Sequence, residues 1–310
     1  MHVGLFGEAN TQVGAGHVMR LVALGQTAEA LGHQVTYFGS CPEIPWVRSL
    51  VRKWRPMSEA SSALDWIVAD SYDSDELKAC SRVMRSSRMA VIIDSATPHI
   101  PADLYVAPGL LEAERQEAAK AAGRLVEGVP YLLIRGEFRG RVHKPNRRDP
   151  YVLVTLGGSA VEREAGLVVS SLRSAGWMGR VVVLTPDGSW SDDLDSRTEI
   201  LPTGFLLPRL AQACTFAISA SGVTVWELLS MGVPTGAVCL SIDQIMNYEW
   251  VTERQVAVAL GRFDKGAPFQ TDFFLSAVES PSFRRDLSAR ARKIVDGEGP
   301  DRIISLMHHF

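Results

Sequence analysis

The sequence predicts an α/β protein made of two doubly wound parallel-sheet domains. Three observations lead there: short apolar strands alternating with helical stretches, one change of texture near the middle, and a length of 310 residues. Alternation of this kind makes parallel sheets with crossover helices. One core at this length would be near its practical upper size, so two domains suit it better. With 46% hydrophobic and 22% charged residues, the composition is that of a chain with a well-formed core.

The first strand is His2 to Gly7, breaking into polar residues and a glycine-rich turn. A helical pattern then runs from about His17 to Leu31 and stops at Gly32, a good C-terminal cap. Gln34 to Phe38 is the second strand. Asp65 to Asp70 and Met89 to Asp94 read as buried strands, each ending in aspartate, and Leu104 to Ala107 as a further one. From Arg135 to Pro150 the chain is basic, with proline and glycine and little apolar periodicity, the texture of a linker. A second alternating unit follows, with strands at Tyr151 to Leu156, Arg180 to Thr185, Thr198 to Leu201, Phe216 to Ser219 and Pro234 to Leu240. Its helices include about Ala160 to Ala175, Leu206 to Ala213 and Val223 to Met231. An amphipathic helix, Ser282 to Val295, precedes a short terminal segment ending in Phe310. The expected domains are 1–140 and 150–310, with no internal repeat.

Charge and composition exclude several roles. A formal net charge of -3 lacks the basic field that non-specific nucleic-acid binding needs, so no nucleic-acid partner is expected. No apolar run is long enough for a membrane span, and no basic start leads into a signal core. Cys41, Cys80, Cys214 and Cys239 are scattered without metal or redox spacing, which points to reduced thiols in a cytoplasmic protein. No metal-ligand cluster emerges, and neither metal nor cofactor is expected.

The motifs follow strands, where open parallel sheets bind ligands; two such domains would face each other across an interdomain cleft. Gln12-Val13-Gly14-Ala15-Gly16-His17-Val18-Met19-Arg20 follows the first strand and opens the first helix. Gly14 and Gly16 let backbone amides approach a ligand, and the helix start favours negative charge. The spacing ends in Gly-x-Gly-His, so it is not the dinucleotide fingerprint. A helix start also favours the neutral imidazole, the form that accepts a proton. His17 is therefore a candidate base, against a tight turn carrying a surface histidine. Arg20, one turn on, is a candidate substrate-binding residue that can pair with a carboxylate or help the turn, against a solvated helix face.

A second loop, Ile218-Ser219-Ala220-Ser221-Gly222-Val223-Thr224-Val225-Trp226-Glu227, runs from a strand straight into a helix. Small residues and amides at a helix start make a diphosphate cradle, to which Ser221 and Thr224 can add hydroxyls. Glu227 suits vicinal ribose hydroxyls, or only the helix dipole. Leu156-Gly157-Gly158-Ser159 also follows a strand and lets a ligand approach the backbone. Asp70-Ser71-Tyr72, Asp94-Ser95 and Asp243-Gln244 close strands too, although each could be turn chemistry. Tyr72 can donate a hydrogen bond or act as an acid. His33, His99 and His143 read as ordinary surface or loop residues.

Taken together, Gly14 to Arg20, Leu156 to Ser159, Ile218 to Gly222 with Trp226-Glu227, and Asp243-Gln244 resemble a known family. It is the UDP-2,4-diacetamido-2,4,6-trideoxy-beta-L-altropyranose hydrolase family of pseudaminic acid biosynthesis. The resemblance covers nearly the whole chain, including Tyr131 to Phe138 before the linker. That family is related to GT-B glycosyltransferases, including the N-acetylglucosaminyltransferase that makes lipid II. The resemblance implies a GT-B-like fold of two Rossmann-like domains, the first carrying the base and the second the nucleotide diphosphate. It implies a hydrolase that cleaves a UDP-sugar at the anomeric carbon. His17 would activate water and Tyr72 would be the active-site tyrosine. Gly157, Gly158, Ser219, Ala220, Ser221, Gly222 and Glu227 would contact pyrophosphate and uridine. The family usually has Asp-Asp where this chain has Asp94-Ser95, and Asn-Gln where it has Asp243-Gln244; both positions would face the sugar or the water. The residues also admit an inverting GT-B glycosyltransferase with a small-molecule acceptor, or a non-catalytic nucleotide-sugar binding protein.

Overall fold

Two six-stranded sheets, parallel at every pairing, organise the chain. In this computed structural model the described residues are 1–310 apart from 10–14, 41–44, 55–62, 84–86, 95–96, 98–99, 110–111, 158–161, 192–194 and 264–268. Side chains at 79, 81–83, 115 and 272 are also outside the description. One compact unit comprises Met1–Gly136 with Gly297–Phe310, and the other Glu137–Asp296.

The first unit holds β1 (His2–Gly7), β2 (Gln34–Tyr37), β3 (Trp66–Asp70), β4 (Arg88–Ile92), β5 (Leu104–Ala107) and β6 (Arg124–Glu127). Their order is β2-β1-β3-β4-β5-β6. β3 and β5 are buried along their whole length, because a parallel sheet is covered on both faces and its strands become continuous apolar runs. Helices α1 (Gly16–Ala30), α2 (Pro45–Val51), α3 (Ser74–Val83) and α4 (Ala113–Ala122) lie between the strands in sequence. α1 buries Val18, Leu21, Val22 and Ala28 in one core with Val3, Leu5, Val68 and Ile92. It ends at Gly32, whose φ of +79° supplies the left-handed turn expected there. β6 was not expected: Arg-Leu-Val-Glu is too short and half-charged to stand out, and it is a strand because it pairs with β5.

The second unit holds β7 (Tyr151–Thr155), β8 (Arg180–Thr185), β9 (Thr198–Pro202), β10 (Phe216–Ala220), β11 (Thr235–Cys239) and β12 (Val258–Arg262), in the order β12-β11-β10-β7-β8-β9. Its helices are α5 (Glu162–Ser174), α6 (Leu207–Ala213), α7 (Val223–Met231), α8 (Ile245–Glu253), α9 (Thr271–Glu279) and α10 (Pro281–Ile294). β12 also escaped the sequence pattern. The segment 143–146, expected as linker, is tied into this unit: His143, Lys144 and Asn146 donate backbone N–H to Met231, Gln212 and Ala213 carbonyls. His143 itself is half-buried, with Nε2 donating to the Cys214 carbonyl at 2.7 Å. Burial lowers its pKa, and Arg284 lowers it further. Cys80, Cys214 and Cys239 are buried and form no disulfide among the described residues; Cys41 lies outside them.

The terminal segment corrects the expected 150–310 boundary. Helix α11 (Gly299–His308) belongs to the first unit, where Ile303, Ile304 and Met307 join the core of α1. Trp66 Nε1 donates to the Met307 carbonyl at 3.0 Å. A Cβ on Gly299 would stand 2.2 Å from the Leu132 carbonyl oxygen, so the helix start needs glycine for this approach.

Candidate functional site

In each unit the strand order reverses once, and at that point the loops leaving two neighbouring strands diverge to open a ligand crevice. The reversal lies between β1 and β3 in the first unit, and between β7 and β10 in the second. The glycine-rich and serine motifs follow the strands at these two places, while Asp94 and Asp243-Gln244 follow β4 and β11.

In the first unit Gly7 of β1 pairs in register with Asp70 of β3. α1 begins at Gly16, so His17 and Arg20 project from its first turns. His17 Nδ1 is 2.6 Å from Asp70 Oδ1, and both residues are buried. Arg20 grips the same carboxylate with two nitrogens, Nε to Oδ2 at 2.7 Å and Nη2 to Oδ1 at 2.7 Å. Its Nη1 donates to Asp94 Oδ2 at 3.2 Å. Arg20 Nη2 also lies 3.0 Å from His17 Nδ1, because both approach one oxygen. An ionised carboxylate only accepts, so this geometry assigns the imidazole proton to Nδ1 and leaves Nε2 with a lone pair.

Asp94 opens the other side of the network. Its Oδ2 accepts from the Tyr72 hydroxyl at 2.9 Å, while Thr97 donates to its Oδ1 at 3.1 Å and accepts from its backbone N–H at 3.0 Å. The Tyr72 ring meets His17 edge-on, with centroids 4.4 Å apart. Although the Tyr72 side chain is 40% exposed, partial desolvation and then Asp94 push its phenol above its ordinary pKa, so it stays a proton donor at neutral pH. Burial alone would lower Arg20, but Asp70 and Asp94 hold it above its ordinary value. Glu8, just beyond β1, is raised by burial and by the neighbouring charges of Glu76 and Asp73.

Four expected residues, His17, Arg20, Tyr72 and Asp94, thus share one hydrogen-bonded network, and Gly16 starts the helix that carries two of them. Gly14 lies outside the described residues. Asp70 was passed over as turn chemistry, yet it is the hub. The signal was an aspartate ending a fully apolar strand, as good for Asp70 as for Asp94.

In the second unit Gly157 follows β7 with φ at +112°, and a Cβ there would meet nothing within 4 Å. Gly158 and Ser159 lie outside the described residues. β10 delivers Ser219 and Ala220, both buried, into Ser221 and Gly222. The Ser219 hydroxyl donates to the Ala220 carbonyl, and the Ser221 hydroxyl to the Val238 carbonyl, each at 2.9 Å. These hydroxyl protons therefore close the loop on the sheet, in contrast to the outward donor expected of Ser221. Gly222 is the N-cap of α7, makes no side-chain cap, and its missing Cβ faces open space. Thr224 is half-buried on the first turn and Glu227 is buried on the next. Asn247, which sequence reading missed, donates Nδ2 to the Ser221 carbonyl at 3.1 Å. Asp243 is exposed, and Gln244 accepts from the Leu240 N–H at 3.2 Å. Among the described residues no group of three or more His, Cys, Asp or Glu could hold a metal ion, and no helix is long and apolar enough to cross a membrane.

No family model and no curated protein matches this sequence. Solved structures do match, at low identity and over the whole length. MurG of Acinetobacter baumannii aligns with a TM-score of 0.60 and 13% identity, covering 100% of this chain and 99% of that one. The glycotransferase of kitacinnamycin aligns at 0.66 and 15%, covering 99% and 98%. The spinosyn rhamnosyltransferase SpnG, complexed with thymidine diphosphate, aligns at 0.59 and 13%, covering 99% and 100%. At these identities the likeness speaks to fold alone. The fold is GT-B, built from two parallel six-stranded sheets with flanking helices.

Proposed function

We propose that the protein is a nucleotide-sugar hydrolase that cleaves a UDP-sugar at the anomeric carbon. The observation that carries this reading is the His17–Asp70 pair at the strand-order reversal of the first unit. Asp70 accepts the Nδ1 proton, so Nε2 is free to take a proton from an attacking oxygen, and the carboxylate stabilises the imidazolium that forms. The water oxygen bonds to the anomeric carbon as the bond to the diphosphate oxygen breaks, with inversion. The proton passes to His17 Nε2 and then to solvent, and UDP departs with the electron pair.

The second unit is assigned the nucleoside diphosphate. Gly157 and Gly222 offer open backbone at the other reversal point, where β10 delivers Ser219 to Ser221 into the start of α7, and that helix start favours the diphosphate charge. Buried Glu227 is assigned to the ribose hydroxyls, and Asp243 and Gln244 to the sugar. A single reading competes: an acceptor hydroxyl replaces water at the same base. The similarity to the kitacinnamycin glycotransferase and the spinosyn rhamnosyltransferase favours it.

One assay separates the two. The protein is incubated with UDP-sugars and thymidine diphosphate sugars, without acceptor, and nucleoside diphosphate and free sugar are followed. Equimolar release of both supports hydrolysis; release only after an acceptor is added supports transfer. His17→Ala is expected to keep UDP binding and lose turnover by on the order of a hundredfold or more. Unchanged turnover in that variant sinks the mechanism, whereas nucleotide binding with no turnover in the wild type, with or without acceptor, would leave a binding protein.

A further inference from the structure

We propose that Arg20 is a positioning residue, a clamp that sets the His17 imidazole and the Tyr72 phenol together, rather than a ligand for substrate. The inference rests on the reading of His17 as the base. The sequence placed Arg20 among residues that contact substrate. In the fold its Nε, Nη1 and Nη2 are all engaged with carboxylates. Only 12% of its side chain is accessible, against 1% for Asp70.

The argument runs through Asp70. Its Oδ1 accepts from His17 Nδ1 and Arg20 Nη2, and its Oδ2 accepts from Arg20 Nε. The carboxylate cannot rotate without losing both guanidinium bonds, so the imidazole's orientation and tautomer are locked through it. On the other side, Asp94 Oδ2 accepts from both Arg20 Nη1 and the Tyr72 hydroxyl. Without a cation between them, two neighbouring carboxylates repel, and they separate or take up a proton. Either response disturbs the bond on Nδ1. A lysine would keep the charge but not the planar fork that spans both carboxylates.

The test compares wild type with Arg20→Lys, Asp94→Asn and His17→Ala. In proton NMR, wild type is expected to show a low-field, exchange-protected imidazole proton that is missing in His17→Ala. In folded Arg20→Lys this signal is expected to broaden away. In Asp94→Asn it is expected to shift, although Asp94 does not touch His17. On a substrate the wild type turns over, Arg20→Lys is expected to lower kcat by ~100-fold, the scale of a misplacement of about 1 Å. KM should stay within about twofold, as expected for a residue that makes no ground-state contact. An unchanged proton signal in folded Arg20→Lys, or in Asp94→Asn should the lysine variant not fold, overturns the clamp. A raised KM with kcat retained also overturns it, because Arg20 would then touch substrate. The function reading fails separately: if His17→Ala keeps its turnover, the base is wrong, while the proton signal still decides whether the clamp exists.

Discussion

His17 acquires its chemistry from residues distant in sequence. Asp70 lies 53 positions away, and the two meet because β1 and β3 are neighbours and α1 starts above them. Asp70 and His17 should act as one unit, and effects within such a unit do not add. We expect Asp70→Asn to reduce turnover by ~100-fold or more, since an amide can hold the wrong imidazole tautomer. The double variant with His17→Ala should be no slower than His17→Ala alone, and full additivity of the two losses would refute the pairing. Asp70→Ala carries a stability cost as well. Removing one partner of a buried ion pair costs roughly 3–5 kcal/mol, and a urea melt should register a loss near the lower end because Asp94 still faces Arg20.

Among the elements, the start of α7 is where the proposed diphosphate site makes a prediction that can be separated from stability. Its N-cap is glycine, which makes no side-chain cap although Asp, Ser or Asn would stabilise the helix more. A Cβ at Gly222 would meet nothing within 4 Å, so packing does not explain the choice. Gly222→Asp should therefore separate stability from function. The new carboxylate should cap α7 and raise stability by about 0.5–1 kcal/mol. It should also repel a diphosphate, weakening UDP binding by at least about tenfold, or ~1.4 kcal/mol. Titration calorimetry beside a thermal melt checks both. Undiminished UDP binding would remove this helix start from the nucleotide site.

For the whole molecule, the chain leaves the first unit at Gly136 and returns to it at Gly297. Ile303, Ile304 and Met307 of α11 are almost fully buried there. At ~1.5–3 kcal/mol for each buried apolar side chain, α11 contributes several kcal/mol to the first unit. Truncation after Asp296 should lower the stability of that unit and leave the second unchanged. Limited proteolysis should then cut first within 1–136; equal loss in both units would contradict the division. The fold class was legible in advance, because alternating apolar strands and capped helices are local patterns set by side-chain periodicity. So were His17, Arg20, Tyr72 and Asp94, since each sits at the end of a strand or the start of a helix. The weak strands β6 and β12 were not legible, because pairing with β5 and β11 makes them strands. Asp70 and Asn247 stayed hidden for a related reason: an aspartate closing a strand looks like turn chemistry until its partner appears. The sequence by itself determined the alternating class, most of the strands, the cap at Gly32 and the loops that carry the motifs. Only the tertiary structure decided that Asp70 orients His17, that Arg20 ties both carboxylates, and that α11 belongs to the first unit. Those outcomes depend on contacts across 50 to 241 positions, which strand order creates and no local pattern encodes.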